Sequence, residues 1–248
     1  MIDRFIAVLD CFSLDKPTLG VREIARETGL SSSTTGRIMA YMKDKGVLNQ
    51  DPETQLYMMG SKALAWAGIY TITCDVRSIA LPIMVRLQEM TRETISLYVL
   101  EGNERVCVER FESPETVRIV ARVGRRIPLY AGSAGKVFLA FMSEERREAV
   151  LNSIEMKAMT ERTITDVDQL RKNLQKIRDQ GYAISIGEWL IDAAGTAAPI
   201  FNQQGNVAAA ISISGPAQRF DKAKIKEMAQ LLLKETRVIS QELGYYPR

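Results

Sequence analysis

VREIARETGLSSSTTGRIMAYMKDKG, residues 21–46, carries the pattern that decides how the front of this chain folds. Ile24, Ala25 and Leu30, then Ile38 and Met42, recur at helical spacing on either side of Thr28-Gly29, and Gly29 can adopt the left-handed conformation that ends a helix. Two short helices joined by a tight turn follow from this spacing. Ser31 is placed to cap the second, because a serine oxygen there accepts backbone N–H groups that have no partner in the first turn. At about 100° per residue, Ser33, Arg37 and Ala40 point away from Ile38 and Met42. The outward face of the second helix, Ser32, Ser33, Thr34, Gly36 and Arg37, is therefore small and polar around one guanidinium. Such a helix can sit deep in a major groove, with hydroxyls for phosphates and an arginine for guanine or the backbone. An ordinary helical hairpin with a serine cap is the competing reading. Gly36 costs about 1 kcal/mol relative to alanine inside a helix, so either close approach to DNA or tight packing must account for it.

The next residues favour the first reading. Val47 to Gln50, the turn Asp51-Pro52-Glu53-Thr54, and Gln55 to Tyr57 predict strand, turn and strand, which after a recognition helix is a wing. Upstream, Asp3 to Phe12 is an amphipathic helix. The first 60 residues hold seven basic and eight acidic residues, so DNA binding must rest on local placement of charge. A single copy would bind weakly, which calls for a dimer on two half-sites.

With 248 residues, 46% of them apolar, and a net charge of +3, the chain can bury two cores. No apolar run approaches the length of a membrane span, and Met1 leads straight into an amphipathic helix, so a cytoplasmic protein is expected. The absence of histidine removes Ser-His-Asp and Cys-His catalysis and histidine-ligated zinc. Cys11, Cys74 and Cys107 are too far apart for a CxxC site, so neither a metal site nor a cofactor is implied.

Ser61 to Thr91 is rich in Ala, Ile, Leu and Met, with Pro82 expected to break or kink it. It predicts a linker helix over 61–80 and then the first helix of a second domain, 81–248. Leu64 to Ile72, carrying Trp66 and Tyr70, suits either a dimer contact or an internal core. From Ile95 the period changes to two: Ile95–Leu100, a Gly102-Asn103 turn, Arg105–Phe111 and Val117–Val123 predict three antiparallel strands. A helix over Val167–Gln180 ending at Gly181, strands Tyr182–Ile186, Ala194–Phe201 and Val207–Ser214, and a helix over Asp221–Leu243 complete an α+β domain.

Gly132-Ser133-Ala134-Gly135-Lys136 resembles a phosphate loop but lacks its requirements, since Tyr130 and Val137 stand where glycine and Ser or Thr are needed. Small residues opening a helix still expose N–H groups to an anion, while glycine serving loop geometry alone remains open. Ser212 and Ser214 alternate with Ile211 and Ile213, so both hydroxyls share one strand face.

The order and spacing of REIARETGL, SSSTTGRIM, LYMMG, VGRRIPLYAGSAGKVFLAF, TERTIT, GYAISIGEW, AAPIFNQQGNVAAAISISGP and ISQELG resemble the isocitrate lyase regulator (IclR) family of bacterial transcription factors from end to end. The resemblance implies a winged helix-turn-helix over 1–60, a linker helix, and a GAF-like effector-binding domain. It also implies a homodimer or a dimer of dimers, that is a homotetramer, on a palindromic double-stranded operator, with a small organic acid as effector. By position it implies a pocket from Leu129, Ser133 and Ala134, from Ser185 to Glu188, and from Ser212 and Ser214. Asp192 and Gly195 replace the family's usual glycine and cysteine, which implies a different pocket floor and a larger or differently charged effector. An enzyme would have to draw on Lys136, Glu188 or Cys107, and a winged-helix adaptor between proteins is the other class.

Overall fold

The computed structural model describes residues 2–13, 15–73, 75–119 and 122–246. Contacts divide the chain into Met1–Cys74 and Asp75–Arg248.

In the first unit, α1 (Ile2–Asp10), β1 (Thr18–Leu19), α2 (Val21–Thr28), α3 (Ser32–Asp44), β2 (Leu48–Gln50), β3 (Tyr57–Met59) and α4 (Ser61–Thr73) follow in order. Gly29 ends α2 at φ 70°, and the Ser31 hydroxyl accepts the Thr34 N–H at the start of α3, as their positions predict. Ile24, Ala25, Ile38 and Met42 are buried, packed with Val8, Met39 and Leu48. The wing strands pair Leu48 with Met59 and Gln50 with Tyr57, two residues later on the second strand than the sequence predicts. Asp51 organises the tip. Its carboxylate accepts from the Glu53 and Thr54 amides, and Gln55 takes φ 60° to bring the chain back. β1 adds a third strand beside β3 that its two residues gave no periodicity to reveal.

In α4, Leu64, Trp66 and Ile69 are exposed, so they fill no core here; the Tyr70 side chain lies outside the described residues. The predicted linker, 61–80, covers the whole of α4 and the first six residues of α5 (Asp75–Thr91). Pro82 does not break α5, which continues past it to Thr91.

The second unit continues with β4 (Thr94–Glu101), β5 (Glu104–Phe111), β6 (Arg126–Pro128), α6 (Ser133–Phe141), α7 (Glu144–Ser153), α8 (Val167–Gln180), β7 (Ala183–Ile186), β8 (Ala193–Phe201), β9 (Val207–Pro216) and α9 (Lys222–Glu242). Its strands form one antiparallel sheet in the order β6-β5-β4-β9-β8-β7. Helices α6 and α8 cover the face bearing Tyr98, Ala183, Ala197 and Ala210, while α5 and α9 pack on β4 and β8 and on each other. Residues 117–119 and 122–123 form no strand, and 120–121 lie outside the described residues. The third strand is Arg126–Pro128 instead, paired with Glu104–Val106. Val117 and Val123 are exposed, so their β-branched side chains have no sheet face to cover.

Candidate functional site

Each unit carries one candidate surface. On α3, Ser32, Ser33 and Arg37 are exposed, Thr34 and Gly36 half-buried. Arg37 makes no ion pair among the described residues. The Ser31 hydroxyl also bonds the Ser33 and Thr34 hydroxyls, so the serine cluster is ordered before any ligand arrives. The helix carries no acid before Asp44, which Lys45 binds at 2.8 Å and holds below the usual carboxylate range. Glu27 on α2 is likewise held by Lys16 at 2.6 Å. A Cβ added at Gly36 would meet Val21 at 3.7 Å, an ordinary contact. Packing against α2 therefore does not demand glycine there.

In the second unit, a partly open cavity enclosing about 630 Å³ of empty space, its mouth included, lies between the sheet and the start of α6. Six residues expected at an effector pocket line it: Ser133, Ala134, Ser185, Gly195, Ser212 and Ser214. The register explains how distant segments converge, since Ser185 pairs with Gly195 and Gly195 with Ser214 across three adjacent strands. A Cβ at Gly195 would stand 2.8 Å from the Ile213 carbonyl oxygen, so this floor position admits only glycine without movement.

Three expected residues do not line the cavity. Leu129 is fully buried in the core beneath the loop. Asp192 is exposed on the turn before β8. Glu188 is committed to structure: it binds Lys136 Nζ at 2.5 Å and accepts the Gly132 N–H at 3.2 Å. Lys136 also donates to the Ile184 carbonyl at 2.9 Å and is 1% exposed. Burial pushes the Lys136 pKa down, and Glu188 opposes that shift. The two candidate catalytic groups thus neutralise each other inside the fold. Cys107 is buried and its thiol pushed up to about 11 by burial, which leaves little thiolate at neutral pH. Cys74 lies outside the described residues.

The cavity wall also holds groups that sequence reading missed. Tyr98, Ile127 and Trp189 supply apolar and aromatic surface, and burial pushes the Tyr98 phenol above its ordinary pKa, so it stays protonated. Arg105 reaches the cavity from the start of β5 and is 4% exposed. Its Nη1 donates to the carbonyls of Pro128 at 3.1 Å and Ala131 at 2.6 Å, pinning the loop that enters α6. The guanidinium fills the room that two glycines leave. A Cβ at Gly135 would lie 2.3 Å from Nη1 and 2.4 Å from the Leu129 oxygen, and Gly132 takes φ 83°. Gly132-Ser133-Ala134-Gly135 is thus shaped for an arginine, with no side chain capping the first turn of α6. Gly132 and Gly135 were the available signal, but nothing local links them to a residue 30 positions earlier.

Comparison with known proteins follows the same division. Residues 1–52 match the IclR helix-turn-helix domain, and residues 69–241 match the bacterial transcriptional regulator IclR C-terminal domain. The chain is 32% identical to the HTH-type transcriptional regulator KipR of Bacillus subtilis, over 98% of this chain and 96% of that one. It is 31% identical to the HTH-type transcriptional repressor AllR of Salmonella typhi, over 99% and 90%. Among solved structures, an IclR homologue from Microbacterium hydrocarbonoxydans complexed with 4-hydroxybenzoate superposes with a TM-score of 0.87 at 31% identity, covering 98% of both chains.

Proposed function

The chain belongs to the IclR family of bacterial transcriptional regulators, and from that premise we propose that it binds an operator through α3 and the wing under the control of a small carboxylate held in the second unit. The observation that carries this reading is the cavity itself: first-turn amides of α6 that no side chain caps, the Ser212 and Ser214 hydroxyls, and Arg105 converge on one space whose lining, among the described residues, contains no acid. N–H groups at a helix start and a guanidinium both favour a carboxylate. The homologue crystallised with 4-hydroxybenzoate, itself a carboxylate, supports the same class.

Ser32, Ser33, Thr34, Gly36 and Arg37 form the proposed DNA contact, in a homodimer or a dimer of dimers matched to a palindromic site. The exposed Leu64, Trp66 and Ile69 supply an apolar stretch suited to association between copies. Effector binding changes operator affinity by its difference in affinity between two arrangements of the dimer, transmitted along the chain through α4, with about 1–3 kcal/mol of coupling. Action in the cytoplasm accords with the absence, among the described residues, of any helix long and apolar enough to cross a membrane.

The test is a gel shift with the DNA upstream of the protein's own gene, titrated with a panel of small carboxylates. Retardation that at least one acid alters, with the response lost in the double variant Ser212→Ala/Ser214→Ala while retardation persists, is the expected result. No retardation would return the molecule to the adaptor class. Retardation with an intact ligand response in the double variant would move the effector elsewhere.

A further inference from the structure

Two guanidinium groups reach this cavity, one deep and one at its mouth. Arg105 lies deep in it, 4% exposed, with Nε buried and without a hydrogen-bond partner and with Nη2 bonded to nothing among the described residues. Nη2 is instead the guanidinium nitrogen nearest to Gly132, facing the start of α6. Arg125, on the loop before β6, lines the same cavity at its exposed side and lies over the Trp189 ring, with its guanidinium carbon 5.2 Å from the centroid. Among the described residues, neither arginine forms an ion pair and no Asp or Glu lines the cavity. Glu188, which acts on Arg105, is occupied by Lys136 and Gly132, so this buried pair contributes no net charge. Burial lowers the pKa of Arg105; Tyr98, Glu188 and Cys107 oppose that shift, and Arg125 adds a smaller push in the same direction as burial.

A guanidinium cannot shed its proton at physiological pH, and a buried one that keeps Nε and Nη2 without hydrogen-bond partners among the described residues favours a bound anion. A monoanion seated at α6 and Arg105 would leave Arg125 to water and the Trp189 ring, so a second carboxylate has a partner there. Each cation lies over a ring, but they differ in depth: Arg105 is buried, 5.3 Å from the Tyr98 centroid and held by backbone carbonyls, while Arg125 is exposed at the mouth over Trp189. One planar carboxylate is poorly placed to serve both. Between them the wall is apolar and aromatic: Tyr98, Ile119, Ile127 and Leu190.

Resting on the effector-controlled reading above, we propose that the effector is a dicarboxylate, with one carboxylate at Arg105 and the first turn of α6 and the other at Arg125, joined by a short apolar or aromatic skeleton.

Isothermal titration of the full-length protein with matched pairs tests this: butanoate with succinate, hexanoate with adipate, benzoate with terephthalate. At least one dicarboxylate should bind about tenfold more tightly than its monocarboxylate partner, the size of one charge-assisted contact. Arg125→Gln should lower the affinity of that dicarboxylate by about the same factor and that of its partner by less, so that the preference collapses. Because Arg105 pins a loop, Arg125 is the informative position. Monocarboxylates that bind as tightly as their partners would overturn the dicarboxylate assignment and leave a carboxylate effector standing. A dicarboxylate preference that survives Arg125→Gln would overturn it as well. If no acid of either kind binds, the effector reading falls and this inference with it.

Discussion

Removing Glu188 should destabilise the second unit far more than removing the whole Glu188–Lys136 pair. Glu188→Leu leaves an ammonium that is 1% exposed with only the Ile184 carbonyl at 2.9 Å, and it strips the Gly132 N–H of its acceptor. Breaking one side of a buried pair costs about 3–5 kcal/mol, a figure that includes the charge left behind. Lys136→Met leaves a carboxylate that still accepts from Gly132 and retains slight access to solvent, so its cost should lie near the lower end, about 3 kcal/mol. The double variant removes both charges and fills the space with apolar atoms, and should come within about 1 kcal/mol of the parent or exceed it. A coupling of about 3 kcal/mol or more between the two positions follows. The assay is urea unfolding followed by tryptophan fluorescence. Of the chain's two tryptophans, Trp189 neighbours the pair, so a Trp66→Phe background isolates the second unit's transition. Single variants costing under about 1 kcal/mol, or a double variant as unstable as the sum of the singles, would refute the argument that the pair is held by mutual compensation.

Arg37→Ala should weaken specific operator binding by about 1–3 kcal/mol if the side chain reads a base, and should weaken all sequences alike if it contacts phosphate; quantitative gel shifts on operator and scrambled DNA separate the two. Ser31→Ala removes the cap on α3 and should cost about 1 kcal/mol of stability in the first unit, seen as a lower unfolding midpoint by Trp66 fluorescence in a Trp189→Phe background. Cys107 gives a pH dependence of definite sign. Its folded pKa of about 11 lies above the ordinary 9.0, so the native state keeps a proton that the unfolded chain gives up. Its contribution is complete below pH 9 and is lost as pH rises from 9 to 11, by about 3 kcal/mol in all. Cys107→Ala should flatten the corresponding fall in urea midpoint between pH 8 and pH 11.

Long elements with a clean period and a chemical stop were legible before any coordinates. Helix α8 follows from Leu170, Leu174 and Ile177 on one face with Gly181 at φ 84°, and α9 from the Asp221 cap and its apolar stripe. Short or polar elements were not. β1 has two residues, β6 has three and ends in Pro128, and α7 (EERREAVLNS) buries only Val150 and Leu151. Of the cavity, the strand serines were visible because alternation assigns a face, and the α6 loop because small residues before a helix have few other uses. Arg105 was not, because a charged residue opening a strand ordinarily faces water; only the loop folding back over it, with Gly132 and Gly135 making room, puts it inside.

That fit between the arginine and the glycine loop determines how the sensor could be retuned. Gly135 is blocked twice, by Nη1 and by the backbone oxygen of Leu129, so a side chain there is excluded whatever occupies position 105. Variation is therefore channelled to the other partner. A shorter residue at 105 would open the inner end of the chamber to a bulkier guest, at the cost of two bonds that tether residues 128 and 131. Descendants of this protein with altered appetite for ligands should carry their first change on the strand, with a second one restoring order to the loop, and the glycine untouched.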